Sequence, residues 1–221
     1  MAYLSLPSSF REKLVAWTAL TALLGLICLC VLPHFIIPSK VTLITDGQPF
    51  MGDPEAPLEI VLIEDFRCHN CQKFNIEVLP SLMRRYVETG EARLVIVPVS
   101  IMEGSTALAN AALAVHQLEP DKFFLYLKEL WRNRLPTDSE LLLRSAARIG
   151  VQKIGALQDC LNSQCQRLLL ERNLFMAKAV MGRQFGTPAL YVNGVPVSTR
   201  SLKAAVRRIE QIKARLAQEE R

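Results

Sequence analysis

Histidine is scarce in this chain: only His34, His69 and His116 occur among 221 residues. A closed structural zinc site takes four Cys or His ligands, and here Cys68, Cys71 and His69 offer at most three that lie close together. A module that holds Cu(I) or Zn(II), or a chaperone, is therefore the lesser reading, and no metal is assigned. Repeats and low-complexity tracts are missing as well, which excludes solenoid and disordered classes. Nor is there a large excess of one charge: the net charge is +5, with no nucleic-acid motif. The one basic concentration, seven Lys and Arg against three acids over Arg200–Arg221, reads as the solvated face of a helix. No nucleic-acid partner is expected. Half of the residues are hydrophobic, which suits one domain of ordinary size with an appendage.

Charged residues are entirely missing from Leu14 to Leu32. About 19 apolar residues suffice for a helix to cross a bilayer. Arg11 and Lys13 precede the stretch, and Lys40 alone follows it before Asp46, a bias that leaves the N-terminus in the cytoplasm and everything after Pro38 outside. A small-x-small cleavage site is also missing, Cys28-Leu29-Cys30 being a poor imitation of one. A retained membrane anchor is expected, with a cleaved signal peptide as the competing reading. The organisation that follows is a tip and anchor over 1–38, a tether over 39–57 and three further segments, 58–103, 104–185 and 186–221.

The compartment decides how the six cysteines read. Cys28 and Cys30 lie inside the apolar stretch and are simplest as small residues facing lipid. The other four form two close pairs outside it, and an even number of exported cysteines reads as disulfides. Cys160 and Cys165 flank Asn162-Ser163-Gln164, a break between helices, so a bond there would staple a short turn with a structural or redox-tuning role.

Cys68-His69-Asn70-Cys71 stands differently. It follows an apolar run, Leu58–Ile63, and opens a helical pattern with Phe74, Val78, Leu82 and Tyr86 on one stripe. A thiol at a helix start feels unpaired N–H groups and the positive dipole end, which favour thiolate. His69, if protonated beside it, adds charge attraction; an exposed polar residue is the plainer alternative. Asn70 is the weaker tuner. Pro80 should bend the helix, and Ala92–Val97 reads as a second buried strand. A further strand candidate is Val41–Ile44.

Helical patterns then cover Ser105–Leu118, Asp121–Arg134, Asp138–Ile149, Lys153–Asn162 and Gln164–Arg183, with Asp138 as a cap. Strand character returns at Ala189–Val192, turns at Asn193-Gly194 and resumes at Val195–Val197, where Pro196 implies a sheet edge. An amphipathic helix over Ser201–Leu216 closes the chain.

Asp65-Phe66-Arg67-Cys68-His69-Asn70-Cys71, Val97-Pro98-Val99 and Gly186-Thr187-Pro188-Ala189-Leu190-Tyr191-Val192-Asn193-Gly194 together resemble the DsbA-like branch of the thioredoxin superfamily, from about Gly52 to Ile212. The resemblance implies an α/β thioredoxin-like fold interrupted by a helical subdomain, here preceded by the N-terminal transmembrane helix. It makes Cys68 the exposed nucleophile that forms mixed disulfides and Cys71, one turn in and more buried, the thiol that resolves them. Pro188 is expected in cis, with an ordinary trans turn as the bland alternative. Thr187 would then pair its backbone with an extended client segment, and its hydroxyl would reach the sulfur of Cys68. No cofactor is implied. The implied partners are exported proteins with cysteines and a membrane redox partner, with the catalytic domain on the periplasmic side of a bacterial inner membrane. The helical insertion favours a net oxidase; His69-Asn70 and Thr187 keep a reductase or isomerase open.

Two more absences mark departures from that family. A proline common at the second position of the motif is replaced by His69. The buried acid that relatives carry six residues before the first cysteine is replaced by Leu62. Glu64 and Asp65 are near, but strand alternation lets at most one of them face the site. Asp65 matches an acidic position of relatives, with capping or a surface ion pair as the simpler role, and the proton acceptor for Cys71 is left unassigned.

Overall fold

Runs of Val, Ile and Leu buried on both faces make β2 (Leu58–Glu64) and β3 (Ala92–Pro98), which pair in parallel with Leu58 opposite Ala92 and Glu64 opposite Pro98. The computed structural model describes residues 8–36, 40–133 and 135–219. Among the described residues, five strands stand in the order β1-β3-β2-β4-β5. β4 (Ala189–Val192) runs antiparallel to β2, and β5 (Val195–Val197) antiparallel to β4. Pro196 is exposed on that outer strand, where its missing N–H interrupts no ladder. The turn between them uses Asn193 at φ 47° and Gly194 at φ 78°; a Cβ on Gly194 would lie 2.2 Å from the Val41 carbonyl oxygen.

The other edge corrects an expectation. Val41–Ile44 is irregular, not a strand. Val41 donates its N–H to Gly194, and Ile44 donates to the Met176 sulfur at 2.9 Å, so neither joins a ladder. The edge strand is instead β1 (Phe50–Met51), antiparallel to β3.

Alternation divides the core between the faces of the sheet. Leu58, Ile60, Leu62, Leu94 and Ile96 join the larger apolar cluster, together with Phe74, Val78, Leu82 and Tyr86. Val61, Ile63, Val95 and Val97 form the smaller one, with Met176 and Ala177. The expected single helix after Cys68 is broken into α2 (His69–Glu77), α3 (Leu79–Leu82) and a π turn over Met83–Val87. Pro80 has no N–H to continue the ladder, so the break falls just ahead of it.

Between β3 and β4 lie α4 (Ser105–Leu118), α5 (Phe123–Arg132), α6 (Ser139–Arg148), α7 (Ile154–Ser163) and α8 (Arg167–Met181). Asp138 caps α6 as expected, accepting from the N–H groups of Glu140 and Leu141. Leu108, Phe123, Tyr126, Leu142 and Leu157 of this insertion belong to the same apolar cluster as the strands. The last helix, α9 (Leu202–Glu219), buries Ala205, Ile209 and Ile212 in that cluster as well.

Residues before Lys40 form a separate unit containing α1 (Ser8–Ile36), 29 residues long. Within α1 the described side chains, Lys13 and those over Val15–Cys28, are exposed; among the described residues no helix is long and apolar enough to cross a membrane. Cys28 is an exposed free thiol. The side chains of Leu14, Cys30, Leu32 and His34, and the whole of Pro38 and Ser39, lie outside the described residues.

Candidate active site

The nucleophile candidate sits at a strand-to-helix corner. Cys68 is the N-cap of α2 with extended backbone, and its carbonyl accepts the first helical bond, from the Gln72 N–H at 3.0 Å. Its own N–H donates to Asp65, which closes the turn out of β2. Cys68 is not exposed as expected but nearly buried, at 8%, because the Thr187 loop lies against it, and Cys71 is wholly buried one turn further on. Both thiols are free. His69 and Asn70, at the head of the helix, are exposed.

Opposite this corner the Thr187–Pro188 peptide is cis. The Cys68 thiol donates to the Thr187 carbonyl oxygen at 3.4 Å. The contact with Cys68 is thus made by the Thr187 backbone, while the Thr187 side chain favours the thiolate form of Cys71 against the effect of burial. A polar cleft of about 350 Å³ runs beside the cis peptide, lined by Asn70, Lys73, Thr187, Pro188, Thr199 and Arg200 among others.

Beneath Cys71 lies Glu64, the one of the two neighbouring acids that faces the site. Glu64 occupies the last position of β2, on the same face as Leu62, and is 1% exposed. The Asn75 amide donates to its Oε2 at 2.6 Å. Cys71 and Asn75 are four residues apart in α2, so they share the helix face that looks down on this carboxyl. Burial raises the Glu64 carboxyl to about 7, with the Asn75 hydrogen bond opposing and the charge of Asp65 assisting. Burial also pushes the Cys71 thiol well up, and the Glu64 charge pushes it further. A two-residue step along a strand returns to the same face, and that parity was the available signal.

Asp65 points the other way and has a structural role. Its Oδ1 accepts from the Arg67 N–H at 2.8 Å, and its Oδ2 accepts from Ile101 and Met102 at 2.6 and 2.9 Å. One buried carboxylate thus ties the approach to Cys68 to the loop that follows β3. Asp65→Ala is expected to cost about 3 kcal/mol or more by leaving three N–H groups short of an acceptor. Urea denaturation checks this; an unchanged midpoint would remove Asp65 from the scaffold.

Cys160 and Cys165 are bonded, with Cα atoms 4.8 Å apart, across the turn between α7 and α8. Asn110 of α4 holds the same turn, accepting from the Gln166 N–H and donating to the Cys160 carbonyl. This pair is not part of the Cys68 corner. His116 packs edge-on against Phe123 at 5.8 Å, and burial lowers its pKa.

A free dithiol at a strand-to-helix corner, one cysteine near the surface and one wholly buried, facing a cis-proline loop, defines a thiol–disulfide oxidoreductase. A thioredoxin family model, Thioredoxin_4, matches residues 45–211, and the chain belongs to that family, in its DsbA-like branch. The chain is similar to disulfide bond formation protein D of Bacillus subtilis (strain 168), 28% identical over 156 residues that cover 66% of this chain and 68% of that one. Among solved structures it resembles Chlamydia trachomatis DsbA, with a TM-score of 0.69, 28% identity, and coverage of 82% of this chain and 99% of the other. BdbD from Bacillus subtilis in its oxidised form shares the fold, with a TM-score of 0.68, 24% identity, and coverage of 79% and 96%.

Proposed function

We propose that this enzyme introduces disulfides into exported proteins while tethered to the outer face of a bacterial inner membrane, and that a membrane redox partner reoxidises it. The observation that carries the reading is the Cys68 corner: a sulfur at a helix N-terminus, held 3.4 Å from the Thr187 carbonyl, with its partner thiol buried behind it. The charge-free Leu14–Leu32 segment, within one continuous helix, supports the tether. The names of the relatives support the direction.

In the forward reaction a client thiolate attacks the Cys68 sulfur of the Cys68–Cys71 disulfide, and Cys71 leaves as a thiolate. That thiolate is buried and needs a proton, which Glu64, with its carboxyl raised to about 7, supplies. A second client thiolate then attacks the client sulfur of the mixed disulfide, and Cys68 leaves as a thiolate at the helix N-terminus. The client loses two electrons, and the enzyme gains them as a dithiol. In reverse, Glu64 accepts the proton of Cys71. The half-buried backbone beside Pro188 is where an extended client segment would add as a short strand.

The test is the reduction potential of Cys68–Cys71 in the full-length protein, by equilibration with glutathione, with Cys160–Cys165 followed separately by mass. A value near −120 mV supports the oxidase; one near −230 mV or below assigns a reductase or isomerase. His69→Ala is expected to lower the potential by about 20–40 mV, because a less stabilised thiolate makes a weaker oxidant. An unchanged potential removes His69 as a tuner. Membrane tethering is checked by alkaline carbonate extraction: release of the intact chain into the supernatant overturns it.

A further inference from the structure

The two flanks of Cys68 differ in chemistry. The cis-proline flank is polar and charged, with Lys73 and Arg200 in its walls. The other flank is a groove of about 360 Å³ lined by Arg67, Gln72, Ile76, Trp131 and Leu135, with more apolar than polar wall. Gln72 and Ile76 stand four and eight residues after Cys68 in α2, so the groove follows the helix face that begins at the nucleophile. Ile76 is 76% exposed, so its side chain is available as groove wall two helical turns from the nucleophile. Leu135 forms the opposite wall with its backbone at φ 55°, a left-handed conformation that a leucine adopts only where its surroundings impose it. At the mouth, the exposed Arg67 reaches across to the Leu135 carbonyl at 3.5 Å and makes no ion pair with any described residue.

We propose that this groove reads the client: it receives an apolar side chain of the segment flanking the reactive cysteine, while Arg67 takes a carboxylate between the two. This deepens the oxidoreductase reading and rests on it. From Cys68 to Ile76 the helix rises about 12 Å. An extended strand covers that in about four residues, which places the apolar residue three or four positions from the client cysteine and the acid next to the cysteine. Ile76, Trp131 and Leu135 favour an apolar side chain at the first position, and the Arg67 guanidinium, with no carboxylate partner among the described residues, matches a carboxylate at the second. The occupant is therefore an acidic–apolar client segment.

The experiment uses the oxidised full-length protein in detergent and single-cysteine peptides that differ at one position. One pair carries Leu or Asn four residues from the cysteine, the other Asp or Lys beside it. The rate of mixed disulfide formation at Cys68 is read by acid quench and mass. The Leu peptide is expected to react at least about tenfold faster than its Asn partner, the ratio given by burial of one such side chain. Asp should outrun Lys about threefold or more, and Arg67→Glu should reverse that order. Ile76→Asp should collapse the Leu preference. Ratios within about twofold for both pairs, or preferences that survive in both variants, overturn the groove while leaving the enzyme reading intact. If no peptide forms a mixed disulfide, the oxidoreductase reading fails, and the groove with it.

Discussion

Cys68→Ser is expected to abolish turnover, whereas Cys71→Ser is expected to accumulate enzyme–client mixed disulfides. The asymmetry follows from burial. A client disulfide reaches only the Cys68 sulfur, since Cys71 is wholly buried. When the Cys68 thiolate attacks a client disulfide, the mixed species is normally released by Cys71, one helical turn away. Serine at position 71 cannot attack sulfur, so the intermediate persists. Non-reducing gels and mass spectrometry of the full-length variants check both outcomes. Turnover in Cys68→Ser at the wild-type rate would overturn the mechanism, and so would trapping by Cys68→Ser in place of Cys71→Ser.

Glu64→Gln is expected to make the protein more stable and less active. The Glu64 carboxyl titrates near 4.5 in an unfolded chain and about 7 in the fold. Between those values the folded protein keeps a proton that the unfolded chain has released, so stability falls as pH rises through the window. Above pH 7 the fold carries a buried charge. Glutamine removes that charge and keeps the shape, which should add roughly 3 kcal/mol at pH 8 and little below pH 4.5. Denaturant midpoints at the two pH values read this directly. The proton for Cys71 is lost at the same time, and the exchange step should slow about a hundredfold, the ordinary worth of a positioned acid or base. Equal stability at pH 8 would mean that the carboxyl is not charged there, and an unchanged exchange rate would remove Glu64 from the proton path. Asn75→Leu is the companion variant. Loss of its 2.6 Å hydrogen bond should move the pH profile of exchange upward.

Most of the frame was legible in the sequence because period and composition agree. β2 and β3 are apolar at nearly every position, α4 begins and ends where its pattern does, and Asn193-Gly194 makes the turn its chemistry favours. Illegibility had local causes. Val41–Ile44 has the residues of a strand, but its N–H groups are taken by Gly194 and the Met176 sulfur, contacts that no local pattern announces. The stripe from Phe74 to Tyr86 is buried as read, yet its helix breaks ahead of Pro80 and ends in a π turn. At the site, Cys68, Thr187 and Pro188 meet as their motifs suggest with Cys71 buried behind, whereas alternation alone allowed either Glu64 or Asp65 to face the thiols and did not say which. The Arg67–Leu135 groove was beyond reach, since its walls are 68 residues apart in the chain.

That distance has a consequence for how the enzyme is made. Cys68 leaves the ribosome well over a hundred residues before its acceptor, as the contact with Thr187 spans 119 positions. Until β4 arrives, β2 has an unpaired edge on the side away from β3, and every helix of the insertion is already present. The nascent chain therefore offers an open strand and an unshielded thiol together, to chaperones and oxidants alike. Only the last segment of the chain, delivering β4, β5 and α9, turns a reactive cysteine into a governed one.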